Sequence, residues 1–193
     1  TRLLEQLGGV YAEALAEHRR LIRDAVQANS GAEVDTQGDA FLCAFATARD
    51  AVDAATAAQR ALDGTPVRVR MGIHTGEPTL TDEGYVGIDV HRGARICAAA
   101  HGGQIVISSG VHSAVLDSLA DGVRLKDLGP WRFQGLREPE QLYPVEAPAL
   151  VRKCPPTRSA VPTPGPSAPS DCEVRLIRRS RGPFRELSLL AAR

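Results

Sequence analysis

Neither sign of charge prevails in this chain, whose 193 residues hold 23 lysines and arginines against 23 aspartates and glutamates. With no net field, nothing global draws it to nucleic acid or to an acidic membrane surface. No apolar run approaches the roughly 20 residues that span a bilayer. The charged, helix-patterned first residues do not read as a signal peptide. Four cysteines are present, Cys43, Cys97, Cys154 and Cys172, with no CxxC pair among them. Cys43 in an apolar strand and Cys97 in an apolar helix read as small buried hydrophobes of a reducing compartment, so a cytoplasmic location is expected. His18, His74 and His112 form no cluster with cysteine, which argues against zinc. A GxxxxGK[ST] sequence is absent too, and with it any P-loop.

What remains is patterning. Leu4, Leu7, Tyr11, Ala14, Leu15, Leu21, Ile22, Ala25 and Val26 recur at helical spacing from about residue 3 to 29, with Gly31 as the stop. Glu33 to Phe41 reads as two short strands about a tight turn at Gly38, which holds Asp39 at the rim of a sheet, a good place for a hard cation. Thr47 opens a second helix with Asp50 as a capping-box partner, and Asp63-Gly64-Thr65-Pro66 breaks it. Val67 to His74 alternates as a half-buried strand. A third helix runs from about Ile88 to Ala100. Strands at 104–108, 123–128 and 141–145 and a short helix at 111–119 follow. This order predicts an α+β domain with helices on one face of a mainly antiparallel sheet. Beyond Ala147 the prolines, among Ser, Thr and Ala, predict a disordered linker over 147–173, and 174–193 a basic, poorly ordered tail. The chain opens on Thr1 at a helix cap, which suggests a fragment.

Three stretches carry a resemblance. Asp35-Thr36-Gln37-Gly38-Asp39-Ala40-Phe41, Met71-Gly72-Ile73-His74-Thr75-Gly76-Glu77, and Tyr85-Val86-Gly87-Ile88-Asp89-Val90-His91-Arg92-Gly93-Ala94-Arg95-Ile96 resemble the catalytic domain of class III adenylyl and guanylyl cyclases, most nearly its actinobacterial branch. Gly102 to Ser108 and Leu128 to Tyr143 resemble its later strands. The likeness spans residues 1–146 and implies a ferredoxin-like antiparallel sheet with helices packed on it. It implies conversion of ATP, favoured over GTP, to cyclic AMP and pyrophosphate in a head-to-tail homodimer whose sites lie between subunits. Mg²⁺ or Mn²⁺ would be held by two aspartates, the second of which falls on Asp39. Arg95 falls on the arginine that stabilises the transition state, with His91 at the position of its asparagine helper. Asp35, Thr36, Gly38 and Gln134 fall on the substrate-binding positions.

Departures from the family pattern are several. Thr1-Arg2 resembles the end of the segment that carries the first metal aspartate, so the first strand is expected to be missing. Its loss from inside the sheet would leave backbone groups unpaired. Asp35 stands where purine-selective members carry a base-reading lysine, and Gly84 where its partner lies. Gln134 replaces a triphosphate lysine, at a cost of about 2–3 kcal/mol in a dry site. Three readings stay open: an impaired cyclase, a non-catalytic cyclase-like module that dimerises or binds nucleotide, or the remnant of a disrupted gene that does not fold stably.

Overall fold

The computed structural model describes residues 5, 7–82, 84–148, 150 and 187–192. A 3₁₀ turn at Gly8–Val10 leads into α1 (Tyr11–Ala28), whose buried His18, Ile22, Ala25 and Val26 follow the three- and four-residue spacing of one helix face. The helix ends through Ser30, which takes φ 58°, rather than through Gly31. Gly31 is needed for a different reason: a Cβ there would lie 2.3 Å from the Phe45 ring. Strands β1 (Ala32–Gln37) and β2 (Ala40–Phe45) form the expected hairpin, with Gly38 at φ 61°. Helix α2 (Ala48–Ala61) starts as its sequence requires. The Thr47 hydroxyl accepts from the Asp50 backbone N–H at 3.1 Å and donates to the Asp50 carboxylate at 2.7 Å.

Strand β3 (Met71–Gly76) begins four residues later than the alternation from Val67 implies, and Met71 to His74 are buried on both faces rather than one. A small hairpin, β4 (Thr79–Thr81) and β5 (Gly84–Val86), then delivers the chain to α3 (Ile88–Ala99). After it come β6 (Ile105–Ser108), α4 (Ser109–Val115), β7 (Arg124–Leu125), β8 (Pro130–Trp131) and β9 (Glu140–Glu146). The last described segment is β10 (Leu187–Ala192).

The main sheet runs β1-β2-β10-β3-β6-β9-β7, with β8 also on β9. All pairings are antiparallel except β3 with β6. Helices cover both faces, which corrects the expected one-faced packing. Phe41, Cys43, Phe45, Met71, Ile73, Ile105, Ile107, Leu190 and Ala192 share one core with residues of α1, α2 and α4. Residues of α3 pack on the opposite face, with Leu42, Ala44 and Leu189 on one flank and Val106 and Leu142 on the other. The alternation of Cβ along each strand makes this division: Leu189 and Leu190 are neighbours in sequence and belong to opposite cores.

Strand β10 lies between β2 and β3, paired to both along its length. The reading of the final residues as a poorly ordered tail is therefore revised for Leu187–Ala192. Leu189 and Leu190 are almost wholly buried, as an inner strand demands. The unpaired groups expected inside the sheet are not found at this position, because β10 satisfies the facing edges of β2 and β3. Of the expected linker and tail, residues 149, 151–186 and 193 lie outside the described residues.

Candidate active site

The sequence-nominated residues fall on three structural elements. Asp35, Thr36, Gly38 and Asp39 share the β1–β2 hairpin. Asp35 is buried, and its carboxylate accepts from the Gln37 side-chain amide at 3.0 Å. The Thr36 hydroxyl donates to Glu33, which also receives two hydrogen bonds from the Arg23 guanidinium, at 2.7 and 3.1 Å. That cation holds the Glu33 carboxyl below the usual carboxylate range. Arg19 of α1 clamps the turn itself, donating from Nε and Nη2 to the Gly38 carbonyl at 3.0 and 2.6 Å. The hairpin is thus tied to α1 at two places, and Asp39 is exposed at its tip.

His91 and Arg95 occupy α3 one turn apart, both exposed on the face turned away from the sheet. Gln134 is exposed in the loop after β8. Its neighbours Phe133 and Leu136 anchor that loop in the same cluster as Ile96 and Ala99 of α3 and the following Ala100. Gly84 begins β5 with φ 119°, a conformation that suits glycine. So α3 and the 133–136 turn form one unit that presents His91, Arg95 and Gln134, and the hairpin forms another that presents Asp39.

A polar cluster that the sequence reading left unassigned lies beneath α3. His74, 4% exposed, faces Ser108 Oγ at 3.0 Å through Nδ1 and Asp89 Oδ1 at 3.2 Å through Nε2. The other Asp89 oxygen accepts from the Glu77 N–H at 3.0 Å, and Arg92 lies 3.5 Å from Asp89 and 3.6 Å from Glu140. Glu140 in turn accepts from the Ser109 N–H and hydroxyl at 3.2 and 2.8 Å. The order serine, histidine, aspartate is that of a hydrolase triad. Ser108 is fully buried, however, and the adjacent Ser109 N–H is spent on Glu140, leaving neither access nor an oxyanion donor there. The one sequence signal for this cluster was His74 set between Gly72 and Gly76 at strand period.

The family resemblance implies a pair of divalent ions, and the described residues do not fit one. Asp39 is a single carboxylate, and Leu187–Ala192, the strand beside β2, has no acidic residue. Among the described residues no group of three or more His, Cys, Asp or Glu is placed to hold a metal. Among the described residues, too, no helix is long and apolar enough to cross a membrane.

A mixed sheet bearing a rim hairpin with a tip aspartate, and a helix displaying a histidine and an arginine one turn apart, is the arrangement that the sequence resemblance to nucleotide cyclases implies. Comparison with known proteins agrees. An uncharacterised Mycobacterium tuberculosis protein is 35% identical over 172 residues, covering 88% of this chain and 60% of its own length. The chain thus spans 60% of the length of that relative. The crystal structure of an adenylate/guanylate cyclase/hydrolase from Silicibacter pomeroyi is 29% identical, covers 75% of this chain and 88% of its own, and superposes with a TM-score of 0.65. An adenylate cyclase structure from Trypanosoma brucei, 23% identical, shares the fold over 82% of this chain and 89% of its own at a TM-score of 0.68. No family model matches the sequence. In fold and in sequence likeness the chain is a cyclase-like domain of the class III adenylyl/guanylyl type.

Proposed function

We propose that this domain cyclises a purine nucleoside triphosphate, ATP before GTP, at a site shared by two head-to-tail copies, and does so slowly. The ribose 3′-oxygen forms a bond to the α-phosphorus, the bond from that phosphorus to the bridging oxygen of the β-phosphate breaks, and pyrophosphate leaves. The 3′-hydroxyl proton passes to water. Arg95 of one copy meets the charge that builds on the phosphate oxygens, and a guanidinium suits that task by staying protonated with a planar fork of donors. His91, one turn earlier on the same exposed face, donates a hydrogen bond beside it. Asp39 of the other copy, on its clamped hairpin, completes the site. Asp35, Thr36 and Gly38 border the nucleotide from that side, and Gln134 reaches the triphosphate without a charge.

The observation that carries this reading is the exposure of His91 and Arg95 together on a helix whose opposite face is fully committed to the sheet. A divalent ion, Mg²⁺ or Mn²⁺, belongs to the family expectation, and this chain contributes Asp39 alone toward it. The lack of a second carboxylate on β10 favours a second reading, a cyclase-like module that dimerises or binds nucleotide without turning it over. Location in the cytoplasm fits either reading.

Cyclic nucleotide formation from ATP and from GTP with Mn²⁺ separates the two. Asp39→Ala and Arg95→Ala should each abolish product. An equal mixture of the two variants should recover about a quarter of the original rate, since statistical pairing leaves one intact composite site in half the dimers. Product from neither the unaltered chain nor the mixture, with the dimer intact, selects the module.

A further inference from the structure

Strand β3 turns three positions toward α3, and two of them are glycine. A Cβ at Gly72 would lie 2.2 Å from the backbone nitrogen of Cys97, and one at Gly76 would lie 2.3 Å from the carboxyl carbon of Asp89. From the helix side, Gly93 sits over the gap, where an added Cβ would have His74 Cβ at 3.8 Å and Leu189 Cβ at 3.9 Å. The helix backbone therefore rests almost directly on the strand. Such a seam has few of the side-chain ridges and grooves that ordinarily fix how one element sits on another. Apolar contact alone leaves rotation and sliding of α3 weakly determined at this seam. His74 is the only side chain β3 offers there, and it joins Asp89 in the first turn of the helix.

We infer that His74 and Asp89 lock the rotation and axial register of α3 on β3, and so position His91 and Arg95 for the reaction. His74 donates from Nε2 to Asp89, since a carboxylate can only accept, and Nδ1 accepts from the Ser108 hydroxyl. Asp89 holds the Glu77 N–H with its other oxygen, which ties the helix start to the end of β3. Arg92 and Glu140 extend the hold to α4 through Ser109. Slipping the helix by one residue turns its side chains by about 100° and would carry Arg95 off the exposed face. His74 and Asp89 are positioning residues; neither needs to touch nucleotide.

This inference rests on the cyclase reading for its consequence, and its structural half can be tested apart from it. In the unaltered chain, ring nitrogen NMR should show His74 as the Nε2–H tautomer. Asp89→Asn and His74→Ala should each accelerate amide exchange in Val90–Ile96 by at least about tenfold while α2 is unchanged. Both should lower kcat for cyclic AMP by about tenfold to a hundredfold with KM within about twofold. His74→Gln, whose amide places an N–H near the lost Nε2–H, should recover most of kcat. An Nδ1–H tautomer, or unchanged α3 exchange in Asp89→Asn, overturns the lock. Should His74→Ala fail to fold, Asp89→Asn, His74→Gln and the tautomer decide. An unaltered chain that makes no cyclic nucleotide and binds no fluorescent N-methylanthraniloyl-ATP removes the cyclase reading, while exchange and tautomer still judge the lock.

Discussion

On one face of the sheet, α1, α2 and α4 press on Phe45, Met71, Ile73, Ile105 and Ile107, in a continuous apolar core. On the other face, α3 stands between two smaller apolar clusters over a seam of Gly72, His74, Gly76 and Gly93. The first face is held by volume and tolerates any arrangement that fills it. The second is held by close backbone approach and a few directed hydrogen bonds, which fix one arrangement. The helix on the second face is the one that displays His91 and Arg95. A domain that must place a guanidinium accurately gains more from direction than from bulk.

Adjacent residues of β3 expose the contrast most sharply. Ile73, fully buried in the large core, should lose about 2–5 kcal/mol of stability on substitution by alanine, measured by urea unfolding. Whatever remains folded should keep its kcat, because the cavity opens on the face away from α3. Gly72→Ala does the opposite, adding a carbon where backbone already stands at 2.2 Å, so the neighbour cannot rotate aside. A loss of about 1–3 kcal/mol is expected, together with loss of activity as α3 is pushed away. Gly72→Ala retaining full activity would falsify the close-approach picture of this face.

Acid should act on the polar seam and on one buried group of the large core. Burial pushes His74 below the ordinary histidine value near 6.5, against the smaller pull of Asp89 and Glu140, while Arg92 adds to the lowering. Burial also pushes His18 down, opposed by Asp39 and aided by Arg19. For such groups the unfolded chain takes up the proton first. Stability is then complete above about pH 6.5 and declines as pH falls below it, by up to about 1.4 kcal/mol per pH unit for each histidine. Unfolding free energies at pH 7.5 and 5.5 check the sign, and His74→Gln should remove one histidine's share of the slope. Stability that rises on acidification would mean His74 is charged in the fold.

The features legible in the sequence were those that close over a few residues. Gly38 announced the hairpin, Thr47 with Asp50 announced α2, and the third helix was expected from about Ile88 to Ala100, close to its observed bounds. The family likeness rested on these same local stretches. The illegible features depend on distant partners. Leu187–Ala192 is apolar enough for a strand, but only the facing edges of β2 and β3 make it an inner one. The two-sided helix packing depends on which way each crossover passes, and no local pattern records that. His74 and Asp89 lie 15 residues apart and meet only once α3 is laid on β3. The spacing Gly72, His74, Gly76 was a usable clue, since glycine at every second strand position leaves room for a backbone and isolates the side chain between.

The starts of the two long-range helices α2 and α3 give the finest version of the comparison. Helix α2 is capped locally by Thr47, whose hydroxyl satisfies the Asp50 N–H. Helix α3 follows Gly87, φ 130°, with no side-chain cap, and its first-turn acid, Asp89, points instead at His74 and Glu77. Thr47→Ala should therefore cost about 1 kcal/mol, a plain loss of stability with kcat untouched, because α2 supports the sheet from the face opposite the site. Asp89→Asn should show the reverse weighting, a change in kcat larger than its effect on the unfolding midpoint would imply. If the two substitutions move stability and kcat in the same proportion, α3 is held no differently from α2, and the distinction between the faces is one of composition alone.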